Sequence, residues 1–250
     1  MFSKRLLLLG LSLVLLAGCA SEKKVYPEKP VGQLYNEAMD EIQNDDMKKA
    51  IELFDEVERQ HPYSVWAAKA QIMAAYLYYS QAKYTDAVLT IDRFLQFHPG
   101  NKSVPYALYL KGMCYYEQIS DVSRDQYMTE RALDSFSRLA ALYPKTEYAK
   151  DVKAKILLTH NQLAGKEMDI GRYYQKQKKY GAAMNRFADV VRLYPQSMYI
   201  QEALYRLTAT YLALGLRDEA KRSAAVLGYN YPESEWYKKA YDLLDDKKGH

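Results

Sequence analysis

Cysteine is almost absent from this 250-residue chain, which holds only Cys19 and Cys114. No CxxC pair can form, so neither a thiolate zinc site nor a thioredoxin-type redox centre is available. Histidine is scarce too, at four residues, and none belongs to an HExxH pair. There is no glycine-rich phosphate loop, and no serine sits in a nucleophile elbow. Charge of one sign is also lacking. The formal net charge is +4, and it falls to about +2 without Lys4 and Arg5, too little for an electrostatic nucleic-acid binder. The densest basic run, Lys176, Lys178 and Lys179, reads as a solvated helix end. These absences argue against an enzyme, a metal site and a cofactor. What is abundant is tyrosine, 25 residues against 6 Phe and 2 Trp. Many half-buried positions are implied, where a ring packs and its hydroxyl stays wet.

The one long apolar run, Leu6 to Leu16, follows Lys4 and Arg5 and is too short to span a bilayer as a helix. It has the form of a secretory signal over residues 1–18. The run ends in Leu16-Ala17-Gly18-Cys19, which resembles the lipobox of bacterial lipoproteins. That resemblance implies cleavage before Cys19 and acylation of its thiol. Because residue 20 is Ala rather than Asp, it also implies sorting to the outer membrane. Each buried methylene contributes about 0.8 kcal/mol, so several acyl chains would make the attachment effectively permanent. With Cys19 acylated, Cys114 has no disulfide partner, and its apolar neighbours Leu110, Met113 and Tyr115 mark it as a buried thiol. Residues 19–31, with Pro27 and Pro30, read as a flexible tether.

A repeat appears once the chain is aligned on proline. Pro62, Pro99, Pro144, Pro195 and Pro232 are spaced 37, 45, 51 and 37 residues apart. Twelve residues before them stand Ala50, Ala87, Ala132, Ala183 and Ala220. Eight before are Phe54, Ile91, Phe136, Phe187 and Ala224, and five before are Val57, Phe94, Leu139, Val190 and Leu227. These offsets share one helical face, and proline stops the helix. Directly before the prolines stand His61, His98, Tyr143, Tyr194 and Tyr231, which makes the two histidines structural. Two residues after them, Ser64, Asn101, Thr146, Ser197 and Ser234 are placed to cap the next helix. Each unit also has an earlier helix with a small residue, Ala38, Ala75, Gly112, Gly171 or Thr208. Three residues later comes tyrosine in all but the first unit, which has Glu41.

This pattern resembles the tetratricopeptide repeat, TPR. The resemblance implies an all-α superhelix of about five helix pairs over residues 32–245, with a final capping helix through Leu244 and a polar tail at 246–250. The third unit carries an exposed loop near residues 117–128. In the fourth, an unbroken helix from about Thr146 to Lys178 would bridge sub-bundles at about 32–145 and 146–245. By the same resemblance, a groove would be lined by Tyr35, Met39, Ile42, Ile72, Tyr76, Tyr79, Tyr106, Tyr109, Met113 and Tyr116. It would continue in polar form through Met168, Arg172, Gln175 and Lys176. Rings of this kind suit a peptide ligand, although each could instead pack between helices.

Lipobox, tether and repeats together resemble the BamD family of the outer-membrane β-barrel assembly machine. Tyr78-Tyr79, Asp86-Ala87, Ile91-Asp92-Arg93-Phe94, Tyr109-Leu110-Lys111-Gly112 and Asn185-Arg186 look like that family's wording, while the loop after the third unit's first helix looks shorter. The resemblance implies a lipid-anchored adaptor on the periplasmic face of the outer membrane. It would contact a POTRA domain of BamA through Arg186 and Asn185, work beside other Bam lipoproteins, and receive C-terminal peptides of unfolded outer-membrane proteins. A TPR lipoprotein scaffold for peptidoglycan or cell-division enzymes is the other reading.

Overall fold

The computed structural model describes residues 27–245; Cys19, the leader and the tail at 246–250 lie outside the described residues. Among these the chain forms eleven helices and no strand. The first two pairs are α1 (Val31–Gln43) with α2 (Met47–Gln60) and α3 (Val65–Ser80) with α4 (Tyr84–Phe97). Then come α5 (Val104–Tyr116) with α6 (Tyr127–Leu142) and α7 (Glu147–Lys176) with α8 (Tyr180–Leu193). The last pair is α9 (Ile200–Ala213) with α10 (Arg217–Asn230), closed by α11 (Glu235–Asp245). Helices pack chiefly on their neighbours in sequence, as in a solenoid.

Within four of the five pairs, a left-handed residue turns the chain. Asp45, Ala82, Lys178 and Gly215 all have positive φ, between 56° and 78°, and only the last is glycine. Beyond each, a backbone N–H reaches back to the last turn of the finished helix: Asp46 to Glu41 O, Lys83 to Tyr78 O, Lys179 to Tyr174 O and Leu216 to Tyr211 O, all at 2.9 Å. That is the Schellman closure of a helix C-terminus. In the second, fourth and fifth units the repeated tyrosine thus supplies the carbonyl that ends its helix, and Glu41 does the same in the first; in the third, where the loop follows, Tyr115 O accepts from Gln118 N at 3.1 Å instead.

Between pairs the helix stops before proline, and capping follows the expected residue only in part. Ser64 Oγ accepts from Ala67 N at 3.1 Å, Thr146 Oγ1 from Ala149 N at 3.2 Å, and Ser234 Oγ from Trp236 N at 3.2 Å. Asn101 and Ser197 do not cap. In those units one extra turn precedes the helix, closed by Val104 N to Asn101 O at 3.0 Å and Ile200 N to Ser197 O at 3.2 Å. Asn101 Oδ1 spends itself inside that turn on Ser103 N at 2.9 Å, and Pro105 follows in the first helical turn, where its missing N–H costs nothing. The second extra turn is pinned from outside, by Asn161 Oδ1 accepting from Met198 N at 2.8 Å.

Inside each pair, the size of the small residue answers the size of the large one opposite. Phe136 and Phe187 are fully buried, and a Cβ built on Gly112 would lie 2.3 Å from the Phe136 ring, one on Gly171 2.5 Å from that of Phe187. Where the large position holds Ile91 or Ala224 instead, the small one has grown to Ala75 or Thr208. Close packing at interior density favours that match. The first unit combines Phe54 with Ala38, and there the ring of Tyr35 leans on Phe54 at 5.3 Å between centroids.

The 30-residue α7, about 45 Å long at 1.5 Å per residue, joins the early pairs to the late ones. Val152 and Ile156 near its start pack with Phe136, while Ala164 and Met168 near its end pack with Phe187. The loop before α6 braces its middle: Gln162 Nε2 donates to Ser120 O at 2.6 Å and Lys166 Nζ to Ser123 O at 2.7 Å. Buried Gln126 holds the loop in shape by donating to the carbonyls of Asp121 and Arg124, both at 3.1 Å.

Candidate peptide groove and partner surface

The structure divides the ten groove residues. Tyr35 lies between Phe54 and the Trp66 ring, the latter 4.8 Å away, and Tyr116 rests on Phe136 at 6.0 Å. Both are seam residues. Met39, Ile42, Ile72 and Met113 are half-buried and pack on the core of their own units. Tyr76, Tyr79 and Tyr109, from α3 and α5, and Tyr148 of α7 come together around Tyr106. Tyr148 stands 5.5 Å from Tyr106 and 5.3 Å from Tyr109. Burial, and then the neighbouring phenols of Tyr76, Tyr148, Tyr109 and Tyr79, push the Tyr106 hydroxyl up to about 12. Burial followed by a hydrogen bond to Asp151 does the same for Tyr109. Tyr79, pushed up to about 12 by burial and by Glu117, reaches Glu117 Oε1 at 3.4 Å. These phenols stay protonated at neutral pH and can donate. Tyr76 and Tyr148, 44% and 36% exposed, are the open side of the cluster.

Tyr148 was not among the groove residues read from the sequence, yet a signal for it exists. Four residues after the aligned prolines stand Trp66, Ser103, Tyr148, Tyr199 and Trp236, aromatic in all but one unit. Each of those four rings packs back on the first helix of the preceding unit: Trp66 on Tyr35, Tyr148 on Tyr106 and Tyr109, Tyr199 near Arg172 and Gly165, and Trp236 on Tyr205 at 5.3 Å. In these four units the ring is one of the contacts that join a repeat to the one before it.

In the fourth unit the groove reading needs one correction. Met168 is fully buried, packed with Phe187 and with Ala203 and Leu207 of α9, because the following pair closes over it. Arg172 bridges instead to Glu202, at 2.9 Å from Nε and 2.6 Å from Nη2, and to Asp169 at 2.8 Å. Arg206 shares the same Glu202 at 2.6 Å and reaches Gln175 Oε1 at 2.6 Å. Lys176 is exposed at the helix end, as are Lys178 and Lys179. Burial raises the Glu202 pKa, but hydrogen bonds from Arg172 and Arg206 outweigh it and hold the carboxyl below its ordinary value of 4.5. A folded-state value below the unfolded one gives stability that is present above pH 4.5 and lost as pH falls through the lower folded value. Urea unfolding is therefore expected to show Glu202→Gln destabilised by about 1–3 kcal/mol at pH 7, with that deficit shrinking on acidification below 4.5. A deficit independent of pH would contradict the charge assignment.

Arg186, on α8, gives Nη1 to Glu167 Oε2 at 2.9 Å and remains partly exposed, with Asn185 exposed beside it. Glu167 keeps the guanidinium charged, by hydrogen bond and by charge. The histidines are structural: His61 Nε2 meets Lys29 O at 2.7 Å, His98 leans on Phe94 and His160 on Tyr194. Cys114 is fully buried, and burial pushes its thiol up to about 12, away from any nucleophilic role. Among the described residues no helix is long and apolar enough to cross a membrane.

With this geometry in place, similarity to known proteins sets the family. Residues 27–227 match a family model described as "Outer membrane lipoprotein". The outer membrane protein assembly factor BamD of Caulobacter vibrioides is 47% identical over 92% of this chain and 77% of its own length. BamD of Rickettsia prowazekii is 44% identical over 96% of this chain and 94% of its own. Among solved structures, a tetratricopeptide repeat protein from Parabacteroides merdae is similar at TM-score 0.39 and 18% identity, covering 85% of this chain and 72% of that one, too loosely to add to the fold read from the helices. A family match across most of a repeat solenoid, and identity well above 30% along nearly the whole chain, place it: the protein belongs to the BamD family of outer-membrane protein assembly factors.

Proposed function

We propose that this chain is a lipid-anchored adaptor of outer-membrane β-barrel assembly, held by acylated Cys19 on the periplasmic face of the outer membrane. Its early repeats receive C-terminal peptides of unfolded outer-membrane proteins, and its late repeats dock on a POTRA domain of BamA through α8, with Arg186 and Asn185 in the contact. Other Bam lipoproteins complete the assembly. The observation that carries the reading is the cluster of Tyr76, Tyr79, Tyr106, Tyr109 and Tyr148, in which the rings of Tyr76 and Tyr148 are open to solvent. Aromatic rings supply contact area at low entropic cost, and their hydroxyls can pair with a peptide backbone. The Glu167 partner presets the Arg186 guanidinium for a contact on the outer face of α8.

Depletion of the protein is expected to lower porin levels in the outer membrane, and purification of the tagged chain to bring down BamA. If porins persist while peptidoglycan or division is disturbed, the chain is instead a scaffold for cell-wall enzymes.

A further inference from the structure

The start of the described chain is held against one edge of the solenoid. Lys29 N donates to Gln60 Oε1 at 3.0 Å, Gln60 Nε2 donates to Pro27 O at 3.3 Å, and His61 Nε2 meets Lys29 O at 2.7 Å. The described chain therefore begins beside the turn between α2 and α3. That turn carries Tyr63 and Val65, which are 101% and 75% exposed. Arg93 of α4 meets Glu58 of α2 at 3.6 Å, a side-chain bridge between the C-terminal halves of the two helices. Phe97, one turn beyond Arg93 and 64% exposed, brings a third apolar side chain to the same edge.

Exposed apolar residues scattered singly are ordinary. These are not scattered, and the length of chain before them says what they face. From Cys19 to Pro27 is eight residues, at most about 28 Å even when fully extended. An acylated Cys19 keeps its bilayer within that reach of this edge. A tyrosine with an aliphatic and an aromatic neighbour has the amphipathic character that partitions into the headgroup layer.

We propose that this edge of the first two repeats rests on the lipid surface, with Tyr63, Val65 and Phe97 entering the headgroup region. The inference rests on the reading of Cys19 as acylated. The contact fixes the orientation of the solenoid relative to the membrane, which a tether alone would leave free.

The test uses the full lipidated protein in vesicles of phosphatidylethanolamine and phosphatidylglycerol, its acylation checked by mass. Because Cys19 is acylated and Cys114 buried, single cysteines can be labelled selectively with an environment-sensitive fluorophore. Tyr63→Cys, Phe97→Cys and, as control near the opposite end of a first helix, the exposed Tyr173→Cys serve as sites. Blue-shifted emission, quenching by headgroup-depth nitroxide lipids and loss of iodide quenching are expected at 63 and 97 but not at 173. Iodide quenching at 63 and 97 equal to that at 173 would overturn the proposal while leaving the anchor intact. Shielding from iodide without nitroxide quenching would mean that a protein or a second copy covers the edge, and would overturn it equally. A mass without acyl chains would remove the anchor reading itself, and the membrane contact with it.

Discussion

Replacing Phe136 by alanine is expected to cost about 3–5 kcal/mol, a large part of the 5–15 kcal/mol that ordinarily separates a folded domain from its unfolded chain. The ring is fully buried and fills the hollow above Gly112. The same contact makes a stricter expectation possible. In the native chain Gly112→Ala puts a methyl 2.3 Å from Phe136 and must displace the ring, which destabilises. In the Phe136→Ala background that methyl enters the cavity instead, so the second substitution becomes neutral or stabilising. Unfolding in urea across the four proteins of this cycle should give a coupling well above the few tenths of a kcal/mol seen for independent sites. Additive effects would mean that the two positions do not share one space.

Removing the open rings is expected to weaken ligand binding, with Tyr148→Ala also costing part of the stacking on Tyr106 and Tyr109. Tyr76→Ala with Tyr148→Ala takes away side chains that are partly solvated and lie outside the fully buried core. Aromatic anchors of an interface commonly contribute about 2 kcal/mol or more each, so the pair is expected to weaken binding of a synthetic C-terminal β-barrel peptide by at least about tenfold. Titration calorimetry or fluorescence anisotropy would measure it. Tyr173→Ala, exposed near the end of α7, is the control expected to leave affinity unchanged. Equal affinity in the double variant would mean that these rings serve only the stacking of repeats.

The features legible in the sequence are those fixed by contact within one helix pair. Alanine, large apolar residue and proline recur at set offsets because the same two helices must approach, fill their seam and stop, and the glycines at 112 and 171 sit where a phenylalanine demands room. The unbroken α7 was legible for a plain reason: no proline interrupts Thr146 to Lys178. What failed depends on the neighbouring unit. Asn101 and Ser197 have the chemistry of caps, but an extra turn lies between them and their helices, one of these turns fastened from α7 by Asn161. Met168 occupies a groove position by alignment, yet α9 covers it. Tyr148 lies outside the positions that other TPR folds assign to a groove, because its ring belongs to the contact between successive units. Helix-pair geometry is written at short range, and the tyrosine cluster arises only when pairs stack.

What occupies that tyrosine cluster in the cell decides the function. A photo-crosslinking residue placed at Tyr76 or at Tyr109, in otherwise native protein, should trap the C-terminal segments of newly secreted β-barrel proteins, identified by mass spectrometry of the adducts. Adducts formed only with peptidoglycan hydrolases or division proteins would contradict it.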